Sequence, residues 1–344
     1  MPSPRLAVRA PARSALHPAG AHASSFTSSR TSSRTAPRLS LAAPAASLAA
    51  WAALLLGCAT LLAGCATTMP QVADFGDAST KLATDYRPFV TGLAATCEQR
   101  AAYRALSDPG AYDMAAARRD AAATCAPLRR ESATAALFAD ALADYAAALN
   151  HLAGQKDTAF DGELRGLSGA LARLPGRDGS ALFPSDTVSA ATKVARAAAA
   201  LALRARTQSL TRRELADNQA DLAQVVQAMK TYATTVYAGE LAATRDTMRG
   251  EYVRLVASSA AAAQGDVQAR LPFRWAQQQA LADLAANEAA QRHVVAFAKA
   301  ADALVAAHAA LVDRFDTLGG QDRLAAVTDL VAQVQALRDG AAAL

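Results

Sequence analysis

The sequence predicts an all-α protein, and three observations carry that expectation. Apolar residues recur at alternating spacings of four and three, as in Phe138, Leu142, Tyr145, Leu149 and Leu152, which is the repeat of one buried helical face. No segment alternates apolar and polar residues with period two, and no β-branched cluster sits between turn signals. Alanine, the strongest helix former, inflates a hydrophobic content of 52%, while aromatics supply only 5%. Because alanine buries little surface, this composition points to long Ala-rich helices in close contact, arranged as an elongated antiparallel bundle.

Taken in order, the first helix is expected from Asp77 to Leu106, with Pro88 kinking it or marking its true start. Ser107-Asp108-Pro109-Gly110 is a turn signal. A second helix follows from Tyr112 to about Ala153, interrupted or kinked at Pro127, and Gly154 ends it. A shorter helix is expected over Thr158 to Leu174, then a loop from Pro175 to Pro184. Ser185 is placed as the cap of a helix reaching Arg206. Thr211-Arg212-Arg213-Glu214 has the form of a capping box and opens a helix to Ser259. In that helix Leu222, Val226, Met229, Ala233 and Val236 repeat in heptad fashion, and Gly239 and Gly250 are weak points. Gly265 to Pro272 is read as a turn, with Pro272 in a first helical position. The next helix runs to Leu318, its second half seamed by Val294, Ala298, Leu304, His308, Leu311 and Phe315. Gly319-Gly320 stops it, and Leu324, Val327, Val331, Val334 and Leu337 define the last helix. The two longest neighbours, of about 50 residues, would each span about 70 Å.

An uncharged Ala/Leu-rich run reaching back to Leu39 closes on Leu61-Leu62-Ala63-Gly64-Cys65. This stretch resembles the lipobox of bacterial lipoproteins, in which an aliphatic residue and two small residues precede the lipid-bearing cysteine. The resemblance implies cleavage before Cys65 and a diacylglycerol on its thiol. Cys58, after Leu55-Leu56-Gly57, is a second candidate, although Leu56 is bulky beside the cut. Leu48 to Leu62 is short for a membrane span and suits a signal peptide. An Ala-rich signal peptide or anchor that merely contains cysteines is the alternative. In each case the arginines preceding the apolar run send the C-terminal part outward. The organisation expected is a leader over 1–64, a tether over 65–76 and a helical bundle over 77–344.

Six of the 35 Lys and Arg residues precede Cys65 and no acid does, which leaves 29 basic residues against 30 acidic ones, a net charge of −1. The basic pI therefore belongs to the leader, and nucleic-acid binding loses its main argument. Ala66 and Thr67, with no Asp beside Cys65, resemble outer-membrane cargo in enteric-type sorting, with the inner membrane as the alternative. An envelope compartment permits disulfides. Cys97 and Cys125 lie at similar distances on either side of the first turn, so two antiparallel helices folded there bring them to one height and predict a bond between them.

Catalytic signatures are scarce. The chain has no phosphate-binding glycine loop ending in Lys-Ser/Thr, no His-Glu-x-x-His and no Cys-x-x-Cys. Gly166-Leu167-Ser168-Gly169-Ala170 lacks the last glycine of a nucleophile elbow and has no strand before it. Asp140, Asp144 and His151 lie opposite the Phe138–Leu152 stripe, on a solvated face, and Asp217 and Asp221 form a similar pair. His308 falls on an apolar seam, as a hydrogen-bonded core or boundary histidine or a ligand-binding one. Phe183, Phe273 and Trp275 stand beside turns, where they either close the bundle end or form a partner contact. No catalytic residue, metal or cofactor is assigned, and the protein is not expected to be an enzyme. The reading is a lipid-anchored envelope protein with a structural, adaptor or partner-binding role. The alternative is a periplasmic receptor with a ligand pocket between helices.

Overall fold

A computed structural model describes residues 69–106, 112–154, 183–201, 208–262, 267–317 and 324–342. They form a bundle of six helices and, among the described residues, no strand. The helices are α1 (Pro70–Ala105), α2 (Met114–Leu152), α3 (Ser185–Leu201), α4, α5 (Val267–Arg314) and α6 (Ala325–Ala342). α4 runs Gln208–Thr231, passes through a π-helical segment at Tyr232–Tyr237 and continues Ala238–Ala262. A 3₁₀ turn, Phe315–Thr317, closes α5. The expected helix over Thr158 to Leu174 and residues 65–68 of the tether lie outside the described residues.

α1 begins seven residues earlier than the spacing suggests. Pro70 suits the first turn because its missing N–H would be unpaired there anyway. Val72, Ala73 and Phe75 are buried, so residues 70–76, expected in the tether, are the first two turns of the bundle. Burial of these side chains outweighs the freedom of a linker. Pro88 and Pro127 both stay inside their helices. Around Pro88, the fully buried Tyr86, Phe89 and Leu93 contribute more than the one lost hydrogen bond costs. Asp113 caps α2 through Oδ1, which accepts from the backbone N–H of Ala115 and Ala116 at 2.8 and 3.1 Å. At its other end Gly154, at φ 88°, takes the left-handed conformation that only glycine adopts freely.

The Phe138–Leu152 stripe is buried throughout. Elsewhere the pattern shifts. Thr211 does not open α4: the helix starts at Gln208 and Thr211 is fully buried within it, while Glu214 accepts a hydrogen bond from the Asn218 side chain at 3.3 Å. α5 starts at Val267 with Pro272 inside its second turn, where it removes one hydrogen bond. In α6 Leu330 is buried and Val331 exposed.

α1 and α2 run antiparallel, linked by Arg87–Asp140 and Arg129–Glu98 ion pairs, each at 2.6 Å. α4 runs parallel to α1, with Tyr86 against Tyr232 and Phe89 against Tyr237. α5 opposes both, so Phe297 packs on Tyr86 and Phe89 with ring centroids 5.4 and 5.0 Å apart. α3 lies against α4 through Lys193–Asp221 at 3.2 Å. The stretch Arg270–Thr317 is long and apolar enough to cross a membrane, and half of its most apolar window is buried inside the bundle.

One close approach makes a test of this packing. A Cβ on Gly76 would stand 2.1 Å from Asn150 Oδ1 and 2.9 Å from the Ala146 carbonyl. Gly76→Ala is expected to destabilise by about 1–3 kcal/mol through overpacking. Gly250, with nothing near such a Cβ, should instead gain about 1 kcal/mol as alanine. Urea midpoints of the two variants moving in the same direction would refute the close contact.

Candidate functional site

The Cys97–Cys125 disulfide ties α1 to α2 with a Cα–Cα distance of 5.9 Å. Both cysteines are buried, as are Ala94 and Ala121 close by in sequence, whose small side chains let the backbones approach. The Arg129–Glu98 pair one residue along α1 holds the same register. This bond agrees with the one expected from the placement of the turn.

His308 lies deep in the seam at 2% exposure. Its Nε2 shares a hydrogen bond of 3.0 Å with Tyr145 Oη, and Phe75 packs against the ring at 5.4 Å. Burial lowers the imidazole pKa to about 4, so at neutral pH the ring is uncharged. Burial, and secondarily the charge of Glu214, raises the Tyr145 pKa, which keeps the hydrogen bond neutral to neutral. His308 Nδ1 has no hydrogen-bond partner among the described residues. The ring borders a groove of about 390 Å³ between α4 and α5, lined by Asp217, Gln219, Leu222, Val305 and several alanines. Such a lining offers one carboxylate and one amide on a small-residue floor.

His293, on the same helix, is also buried. Its pKa is lowered by burial, opposed by a hydrogen bond to the Asp85 backbone. Fifteen residues of helix put it about 22 Å from His308, so the two cannot share a metal. Among the described residues no group of three His, Cys, Asp or Glu side chains could hold a metal ion. Asp140 pairs with Arg87, and Asp221 with Lys193.

The three aromatics separate. Phe183 is buried, its ring 4.4 Å from Phe138 and 6.3 Å from Tyr232, so it is a core residue and not a partner contact. Standing two residues before α3, its ring enters the junction of α2 and the π-helical segment. Phe273 is half-buried, and Trp275 is 68% exposed. Sequence reasoning missed Tyr145 as the histidine's partner, although it stands in the recognised α2 stripe. It also missed the exposed Val253, Val256 and Leu271, which have no local signature. Cys58, Cys65 and Ser168 lie outside the described residues. Neither a family model, nor a curated protein, nor a solved structure matches this chain.

Proposed function

We propose that the protein is a lipid-anchored envelope protein, held in the outer membrane facing the periplasm through Cys65, with a non-catalytic adaptor or partner-binding role. The observation that carries the anchor is Leu62-Ala63-Gly64-Cys65 at the end of an uncharged run that only arginines precede. The Cys97–Cys125 disulfide supports an oxidising compartment. In this reading the Ala-rich helices form an elongated antiparallel spacer that presents a surface to an envelope partner, with Trp275 and Phe273 among its contacts. Cys65→Ala should abolish fatty-acid labelling and leave an unprocessed precursor. Normal labelling of that variant would move the anchor to Cys58 or end the proposal.

The second reading, a periplasmic receptor, rests on the groove beside His308 and the unpartnered Nδ1. A neutral imidazole, Asp217 and Gln219 would hold a small polar ligand with a cationic group. Ala220→Trp, which fills the groove floor, should abolish such binding and leave the lipid anchor untouched. Thermal shift across a panel of small amines and amino acids is the measurement, and no stabilisation by any of them counts against the receptor.

A further inference from the structure

We infer that the seam between the α1–α2 pair and the α4–α5 pair is an acid-operated joint, latched near the disulfide and loosened elsewhere by protonation of His308 and His293. Each pair is braced within itself. α1 and α2 share the Cys97–Cys125 disulfide, the Arg87–Asp140 and Arg129–Glu98 ion pairs, and a hydrogen bond from Asn150 Nδ2 to Asp77 Oδ1 at 2.7 Å. α4 and α5 share the Lys230–Asp302 pair at 2.6 Å, the Arg249–Glu288 pair at 3.3 Å, and a hydrogen bond from Asn287 Nδ2 to the Leu241 carbonyl at 3.0 Å.

Between the two pairs, the polar ties gather at one end. Close to the disulfide, Thr244 Oγ1 donates to the Thr96 carbonyl at 3.2 Å, Arg100 pairs with Glu240 at 2.9 Å, and Tyr103 Oη donates to Asp283 Oδ2 at 2.6 Å. From Thr96 back to Phe75 is 21 residues of α1, about 32 Å, and along this stretch the seam is largely aromatic, with Tyr86 and Phe89 against Phe297. Two buried imidazoles of α5 stand in it. His308 packs on Phe75 at 5.4 Å and His293 on Phe89 at 5.0 Å. Each has its Nδ1 buried with no hydrogen-bond partner among the described residues.

A neutral imidazole carries one N–H and no charge, whereas an imidazolium carries two donors and a full charge. Protonation in place would therefore leave each ring with a charged donor unpaired in an apolar seam. The neighbouring groups do not relieve this. His308 faces Tyr145 from α2 and Phe75 from α1, with Asp217 on the groove and Glu214 near Tyr145 from α4, yet burial alone sets its pKa. His293 bonds the Asp85 backbone from α1, and the Asp85 carboxyl is drawn to Arg338 of α6 at 3.8 Å. Burial still lowers that imidazole. Asp85 and Glu240 work the other way, since burial raises both carboxyls and their protonation favours the closed state. Glu240 thereby helps to keep the latched end shut in acid. On the flanks α3 holds to α4 through Lys193–Asp221, and the Leu324 N–H that precedes α6 holds to Gln71 of α1 at 3.4 Å. The joint thus loosens without parting.

Oxidation of buried methionines in the full chain by hydrogen peroxide tests this, because the reagent attacks a thioether only when it is exposed. Met229 and Met248, both on α4, are 1% and 0% exposed. Met229 lies in the aromatic stretch, and Met248 one turn beyond Thr244 at the latched end. From pH 7 to pH 4.5, a ring that titrates near about 4 when closed and near 6.5 when open raises the open population roughly 60-fold. Oxidation of Met229 should accelerate by about that factor, and oxidation of Met248 far less. Equal acceleration of the two would mean that the chain unfolds as a whole, and no acceleration of Met229 would mean that the seam stays shut; each result overturns the inference. His308→Gln keeps a side chain able to bond Tyr145 and should remove most of the Met229 response, whereas His151→Gln, on half-buried His151 of α2, should retain it. An undiminished response in His308→Gln overturns the inference as well. Should that variant fail to fold, the two methionines of the wild-type chain still decide.

Discussion

Replacing Cys97 and Cys125 together by alanine is expected to lower stability toward urea by about 3–4 kcal/mol, the chain-entropy value for a loop of this length. The separation of 28 residues encloses the whole α1–α2 turn, so the unfolded chain gains the freedom of that loop once the bond is gone. The loss should be local as well as global. Few large apolar side chains hold α1 to α2 beyond Cys97: Tyr103 is buried, but Leu106, Tyr112 and Met114 are exposed. What remains is the Arg129–Glu98 pair, exposed on both sides, and exposed pairs contribute little. Hydrogen exchange in the double variant should therefore rise most across residues 94–106 and 112–126 and least across the Phe138–Leu152 stripe. Urea melts of oxidised wild type and variant that coincide would mean the hairpin end is held by something other than the bond.

The buried histidine predicts an acid-sensitive fold. In the unfolded chain His308 takes up a proton near pH 6.5, whereas in the bundle burial holds its pKa near about 4. Between those values the unfolded state binds more protons, so stability falls as pH drops from 6.5 to 4, by about 3 kcal/mol at 1.36 kcal/mol per unit. Below the folded value this group adds no further loss. His293, also lowered by burial, acts in the same direction. Asp85 and Glu240 act oppositely: burial raises both carboxyl pKa values against the pull of nearby arginines, so their protonation favours the folded state as pH falls through the acid range. His308→Gln keeps a side chain able to bond Tyr145 and removes the titration. Urea stability at pH 7 and pH 4.5 should fall markedly less in the variant than in wild type. Equal losses would show that acid acts elsewhere.

Much of the architecture is legible in the sequence where the cause is local. The α2 stripe follows from a strict repeat, and the disulfide from two cysteines at similar distances from the turn signal Ser107-Asp108-Pro109-Gly110, which itself lies outside the described residues. The errors have tertiary causes. Residues 70–76 resemble a linker until the rest of the bundle buries Val72 and Phe75. Phe183 stands beside a turn on paper, open to packing or to a partner contact, and it packs because α2 and α4 meet beneath it. For His308 the apolar seam is visible in the sequence, but its partner Tyr145 is 163 residues away and the groove depends on how α4 sits on α5. The exposure of Trp275 depends on one helix pair outrunning another, which no local pattern encodes.

Tyr232 and Tyr237 of the π-helical segment are both buried, five positions apart. Such a pair would diverge by about 140° on an α-helix but lines up where hydrogen bonds run i to i+5. The heptad reading therefore continues to Val236, while the core takes Tyr237. This segment resets the phase of α4, so that Leu222, Val226 and Met229 on one side and Leu241, Thr244 and Met248 on the other all point inward. The chain length between Met229 and Leu241 is consequently quantised. Deleting one residue within the π-helical segment would relax it to ordinary helix and leave the two halves nearly in phase, since about eleven residues at 100° return to within about 20° of the same face. A one-residue deletion elsewhere in α4, with the segment kept, would instead rotate one half by about 100° and should be tolerated far less well. Descendants of this chain can therefore shed the one residue that the segment absorbs, and otherwise vary the length of α4 only in whole turns.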